Sequence, residues 1–136
     1  MNSKHFVTIV AALAALVAGP AGLAAEREHL VYSVYTGLNM GTDGEQTQRD
    51  FHVNIGAHEG VAKGSRLEVL RRSPTYDLVS QALYRDLTYP IAVLKVIHVE
   101  KDAAIARLEK MLPLEETPAL LPPIVIVGDL VKLADR

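Results

Sequence analysis

The sequence predicts an all-β, or mostly β, fold: a small barrel of about six to seven strands, with a long loop or short helix near residues 73–86. Three observations carry this. The stretch Phe51-His52-Val53-Asn54-Ile55-Gly56, then Ala57 to Gly64, then Ser65 to Leu70 reads as strand, tight glycine-rich crossing, strand. Gly56, Gly60 and Gly64 fall where such a crossing needs positive φ. Pro90 to Val99 is a long run in which both alternating rows are largely apolar, as in a strand covered on both faces. Leu30-Val31-Tyr32-Ser33-Val34-Tyr35 adds a third β-branched and aromatic segment.

Residues 1–25 read as a signal peptide. Lys4 precedes an apolar run from Phe6 to Val17, broken by Gly19-Pro20 and followed by the small residues Gly22, Ala24 and Ala25. That is the charged, apolar, small-residue order of a secretory leader. Cleavage is expected after Ala25 or after Ala24. The run is shorter than the roughly 20 residues of a membrane span; an uncleaved anchor is the alternative reading. Residues 26–136 read as a single small β-barrel domain of 111 residues.

Removing the leader takes away one Lys and no acid, leaving thirteen basic against sixteen acidic residues and a net charge of −3. No basic field is present to hold nucleic acid, and no membrane span is expected once the leader is cleaved. The chain has no Cys, so disulfides, thiol catalysis and Cys-ligated metals are excluded and stability rests on packing.

Each further element is read from local pattern. Asn39 to Gln48, polar and containing Gly41 and Gly44, is a loop. In Ser65 to Arg71, Leu67 and Val69 share one face. Ser73 to Asp86 reads two ways. Ser73-Pro74 with Asp77 in a first turn starts a short helix, while Thr75, Tyr76 and Val79 favour an irregular hairpin loop. Pro90 suits the first residue of a strand. Lys101-Asp102 makes a turn, and Ala103 to Met111 returns as a strand, although its composition also suits a helix. Leu112 to Pro123, with four prolines, is a loop. Ile124 to Val127 and Leu130 to Leu133 are two strand pieces around Gly128-Asp129.

Val53-Asn54-Ile55-Gly56 with Glu59-Gly60-Val61, Lys63-Gly64 and Leu67-Glu68-Val69 resembles a phrase of small bacterial envelope barrels. Pro90 to Val96 with Ala104-Ile105-Ala106-Arg107 resembles their central hairpin, and Val127 to Val131 their closing strand. Over about residues 50–134 the chain resembles the C-terminal domain of the flagellar assembly protein T family. The resemblance implies a periplasmic, non-enzymatic barrel accessory to an envelope assembly. On this reading the Leu30 to Tyr35 strand takes the place of that family's N-terminal domains.

Candidate chemistry is sparse. Beyond the leader lie His29, His52, His58 and His98. Of these, His52, His58 and His98, with Glu59, are the set to test for a metal, without any ligand spacing that demands one. Ser33, Ser65, Ser73 and Ser80 lack a nucleophile elbow. Asp43-Gly44-Glu45 lacks the spaced ligands of a calcium loop. Glu115-Glu116 reads as a solvated pair. Arg71-Arg72 with Arg85 is a candidate anion patch, against exposed strand-end charges. No P-loop or dinucleotide fingerprint occurs.

The expectation is therefore an exported, non-enzymatic structural or protein-interaction module, periplasmic or secreted in a Gram-negative envelope. Its partner is an envelope protein or a second copy of itself. No catalytic, cofactor-binding or metal residues are assigned. A small periplasmic metal-ion or ligand-binding protein is the alternative.

Overall fold

A computed structural model describes residues 26–135 of the chain. The signal peptide expected over residues 1–25, with its cleavage site at Ala24 or Ala25, lies outside the described residues.

The chain is almost entirely β. Its strands are β1 (Val31–Thr36), β2 (Arg49–Val53), β3 (Arg66–Arg72), β4 (Thr75–Asp77), β5 (Ala82–Tyr84), β6 (Thr88–Val99), β7 (Ala104–Met111) and β8 (Leu130–Leu133). Six of them form one antiparallel sheet in the order β1-β2-β7-β6-β3-β8. The sheet curls until its two edge strands touch. Leu30 bridges Leu130, Val31 N donates to Asp129 O at 2.9 Å, Gly128 N to Val31 O at 2.8 Å and Val131 N to His29 O at 2.9 Å. Contact at this corner satisfies backbone groups that an open edge would leave unpaired. Asn54 fixes the incoming chain there. Its Oδ1 accepts from Leu30 N at 2.6 Å, its backbone N donates to Leu30 O at 3.2 Å, and its Nδ2 donates to Glu28 O at 3.2 Å.

Alternation along the strands builds the core. Phe51 and Val53, Leu67 and Val69, Leu94 and Val96, Ala104 and Ala106 all turn inward and are buried. Phe51 lies in register with Ala106, a large side chain beside a small one, which suits the narrow interior of a six-stranded sheet. Ile55 and Val61 close one end. Burial of each Phe, Leu, Ile or Val among these contributes about 1.5–3 kcal/mol against an exposed reference, and each Ala less.

The glycine-rich crossing works by two different devices. Gly60 and Gly64 have φ of 85° and 88° and supply the left-handed turns expected of them. Gly56 does not. Its backbone is extended, with φ −144° and ψ −157°, and its contribution is room. A Cβ there would sit 2.6 Å from Ala103 N, Glu100 O and Lys101 O. The 3₁₀ turn Ala57–Glu59 begins at this contact and docks on the β6–β7 turn, with Ala57 N donating to Glu100 O at 2.9 Å and His58 N to Lys101 O at 3.0 Å.

Three local expectations change. Of the two readings of residues 73–86 the helix fails and the hairpin holds, in a more regular form than expected: Thr75–Asp77 and Ala82–Tyr84 pair as β4–β5, with Tyr76 opposite Leu83. Asp77, suited to a helix's first turn, instead closes the hairpin turn. Its Oδ1 accepts from Val79 N at 2.9 Å and its Oδ2 from the Ser80 hydroxyl. Pro90 is the third residue of β6, not the first. It sits where the pairing with β3 shifts register, a place that tolerates its missing N–H. Ile124–Val127 is not a strand: the Ile124 carbonyl accepts from Arg71 and the Ile126 amide donates to the Asp129 carboxylate, so neither bonds a neighbouring strand. Residues 104–111 take the strand form, paired on both sides by β2 and β6.

Candidate functional site

The end of the barrel formed by the ends of β1, β3 and β7 and the starts of β2, β6 and β8 carries the features that sequence patterning did not resolve. At its centre is a buried ion pair. Arg71 continues the inward row of Leu67 and Val69, so its side chain enters the barrel instead of leaving it. Its guanidinium grips the Asp129 carboxylate with two donors, Nε to Oδ1 and Nη2 to Oδ2, the latter at 2.8 Å. Asp129 is 2% exposed. The same guanidinium donates to Ile124 O at 2.8 Å, and more weakly to Pro122 O at 3.3 Å and Leu121 O at 3.4 Å. Asp129 Oδ2 also accepts from Ile126 N at 2.8 Å. The hydrogen bond from Arg71 to Asp129 holds the Arg71 pKa above its usual value, outweighing burial. This pair ties the strandless segment 121–129 to the barrel.

The anion patch suggested by Arg71, Arg72 and Arg85 is therefore not formed. Arg71 is consumed inside, and Arg72, on the opposite face of the same strand, pairs with Glu28. Arg85 is exposed in the linker after β5.

The segment held by Arg71 makes one wall of a cleft of about 360 Å³. Pro123, Ile124 and Val125 form that wall, Phe51, Leu108 and Met111 the floor, and Gln46 to Arg49 the rim. A larger groove of about 530 Å³ lies at the opposite end, lined by Gly60, Ala62 to Arg66, Lys95 and Leu133 to Asp135. It is poor in apolar side chains, with Leu133 its one large apolar residue.

The second feature is the β4–β5 hairpin. It pairs with no strand of the barrel. Its turn residues Leu78 and Val79 are 82% and 95% exposed, and Tyr76, Leu83, Tyr84 and Leu87 are exposed beside them. The register places Tyr76 and Leu83 on one face of the hairpin and Tyr84 on the other, with Leu78 and Val79 at the turn; exposed apolar residues scattered singly are ordinary, whereas here they gather on one element.

The histidines do not converge. His52 packs against Tyr35 and Tyr32, with ring centroids 4.7 and 6.0 Å away. His58 Nδ1 lies 2.9 Å from Asp102 Oδ1, and His98 Nε2 lies 2.9 Å from Glu100 Oε1, both pairs exposed. His29 Nδ1 lies 3.1 Å from Asn54 O. Glu59 Oε2 accepts from Gly56 N at 2.8 Å and serves the 3₁₀ turn. Among the described residues no three His, Asp or Glu side chains are grouped to hold a metal ion. The serines have local roles, with Ser65 Oγ accepting from Ala62 N at 3.0 Å and Ser80 Oγ donating to Asp77. Glu45 Oε2 accepts from Met40 N at 2.9 Å within the loop that holds Asp43. Glu115 and Glu116 are exposed in a turn after Pro113.

Among the described residues no helix is long and apolar enough to cross a membrane. No family model, no curated protein and no solved structure matches the chain.

Proposed function

We propose that the protein is an exported, non-enzymatic interaction module of a bacterial envelope, accessory to a flagellar or other envelope assembly. In this reading the barrel is the scaffold and the β4–β5 hairpin is the element that docks on a protein partner. The observation that carries it is the apolar turn Leu78-Val79, standing clear of the barrel between Tyr76 and Tyr84. Aromatic and aliphatic side chains grouped in this way supply the central anchors of protein interfaces. The leader-like first 25 residues and the envelope-barrel phrase around Gly56 to Val69 support the envelope setting. A ligand-binding role is the second reading, favoured by the cleft beside the Arg71-held wall.

The test is a photoreactive residue at Val79, crosslinked in living cells that also carry a differently tagged copy. A discrete adduct is expected at Val79, lost when Leu78 is changed to Asp, with none from the same probe at Lys63 on the far end of the barrel. The second tag identifies self-association. No adduct at Val79, or equal adducts at both positions, would refute the docking role.

A further inference from the structure

We propose that the cleft at the Arg71–Asp129 end of the barrel binds a small amphiphilic anion: a short acyl chain ending in a carboxylate. The argument starts from the inward row of β2. Arg49, Phe51 and Val53 alternate toward the interior, and β2 pairs with β7 through Phe51 opposite Ala106. Continuing that register places Arg49 level with Leu108 as the row leaves the packed core. The row thus ends in a guanidinium directly beyond an apolar floor.

Charge pairing singles this residue out. The barrel strands hold Arg49, Arg66, Arg71, Arg72 and Arg107. Arg66 pairs with Glu109, Arg71 with Asp129, Arg72 with Glu28 and Arg107 with Asp50. Among the described residues Arg49 alone of the five has no carboxylate within ion-pair distance. A guanidinium presents a planar fork of donors that matches a carboxylate. Gln46 and Gln48 stand beside it on the rim with further side-chain amides.

The rest of the cleft suits a hydrocarbon chain. Leu108, Met111 and Ile124 show apolar surface to it above Phe51 and Val125. Met adapts its shape to an irregular ligand. At about 360 Å³ the cleft falls near the lower bound of ligand pockets, roughly 300–1,000 Å³. That volume matches one short chain better than the two of a lipid. The wall is set in advance, because Arg71 holds Ile124 and Pro122 by their carbonyls. A preformed wall lowers the ordering cost of binding.

The test titrates the purified full chain with octanoate and, separately, with uncharged 1-octanol, following the methyl resonances of Leu108, Met111, Ile124 and Val125. Octanoate is expected to bind one to one and to shift these methyls, with 1-octanol at least about tenfold weaker. Arg49→Gln should weaken octanoate about tenfold and leave 1-octanol unchanged. The comparison of the two ligands on the unaltered protein stands whether or not the variant folds. No octanoate binding, shifts confined to residues elsewhere, or equal affinity for the acid and the alcohol would overturn the proposal, as would an Arg49→Gln variant that binds octanoate as tightly as the unaltered chain.

Discussion

Gly56→Ala should lower the unfolding free energy by about 3 kcal/mol or more, the upper end of the cost of overpacking a filled site. The added methyl would lie 2.6 Å from three backbone atoms, Ala103 N, Glu100 O and Lys101 O. None of these can swing aside as a side-chain end would. Glu100 O and Lys101 O accept the amides of Ala57 and His58, and Glu100 N donates to Ala103 O at 2.8 Å. Making space means breaking the contact between the 3₁₀ turn and the β6–β7 turn. Gly64→Ala is the comparator. A Cβ there meets nothing within 4 Å, so only its φ of 88° is strained, at about 1–2 kcal/mol. Urea midpoints of the two variants, with equal slopes, measure the difference. Equal losses would mean that Gly56 is not a close-approach position.

Arg71→Met is expected to destabilise by about 3–5 kcal/mol, because it leaves the Asp129 carboxylate buried without its partner. The loss is compounded by freeing the carbonyls of Leu121, Pro122 and Ile124. Asp129 also lies at the corner where the sheet meets itself, its backbone O accepting from Val31 N. The double variant Arg71→Met with Asp129→Asn should recover about 1–2 kcal/mol, since Asn is neutral and still accepts from Ile126 N. Chemical denaturation of the four-member cycle gives the coupling directly. Additive single effects would show that the pair is not a unit. Amide exchange across residues 121–129 should also quicken in Arg71→Met before any other region responds.

The barrel was legible because its strands alternate. Leu67 and Val69, or Phe51 and Val53, point the same way by the two-residue period alone, and the glycines at 60 and 64 mark turns that need positive φ. The same period, carried one step further, places Arg71 on the inward row. A charged residue at a strand end reads as solvated, and only its partner 58 positions away makes burial affordable. Residues 124–127 look like a strand by composition, yet Arg71 and Asp129 take polar groups there that a neighbouring strand would otherwise bond. The hairpin at 75–84 was obscured because its sequence suits a helix start, and three-residue strands give too few alternations to decide. Gly56 carried a signal without its meaning. Sequence marks a residue that must lack a side chain, but not whether the reason is torsion or a neighbouring backbone.

In the proposed function the barrel is a self-sufficient scaffold and the hairpin a separable docking element. Ser73 and Leu87 already bond across the hairpin's base, Ser73 N to Leu87 O at 2.8 Å. Replacing residues 74–86 with Asn-Gly would close β3 onto β6 with a two-residue turn. The decisive measurement pairs the melting temperature of this shortened chain with co-purification of the partner captured through Val79. Melting is expected to stay within about 4 °C of the parent, a change of under about 1 kcal/mol, while the partner is lost. A shortened chain that no longer folds, or one that folds and still retains the partner, would rule out a separable docking hairpin.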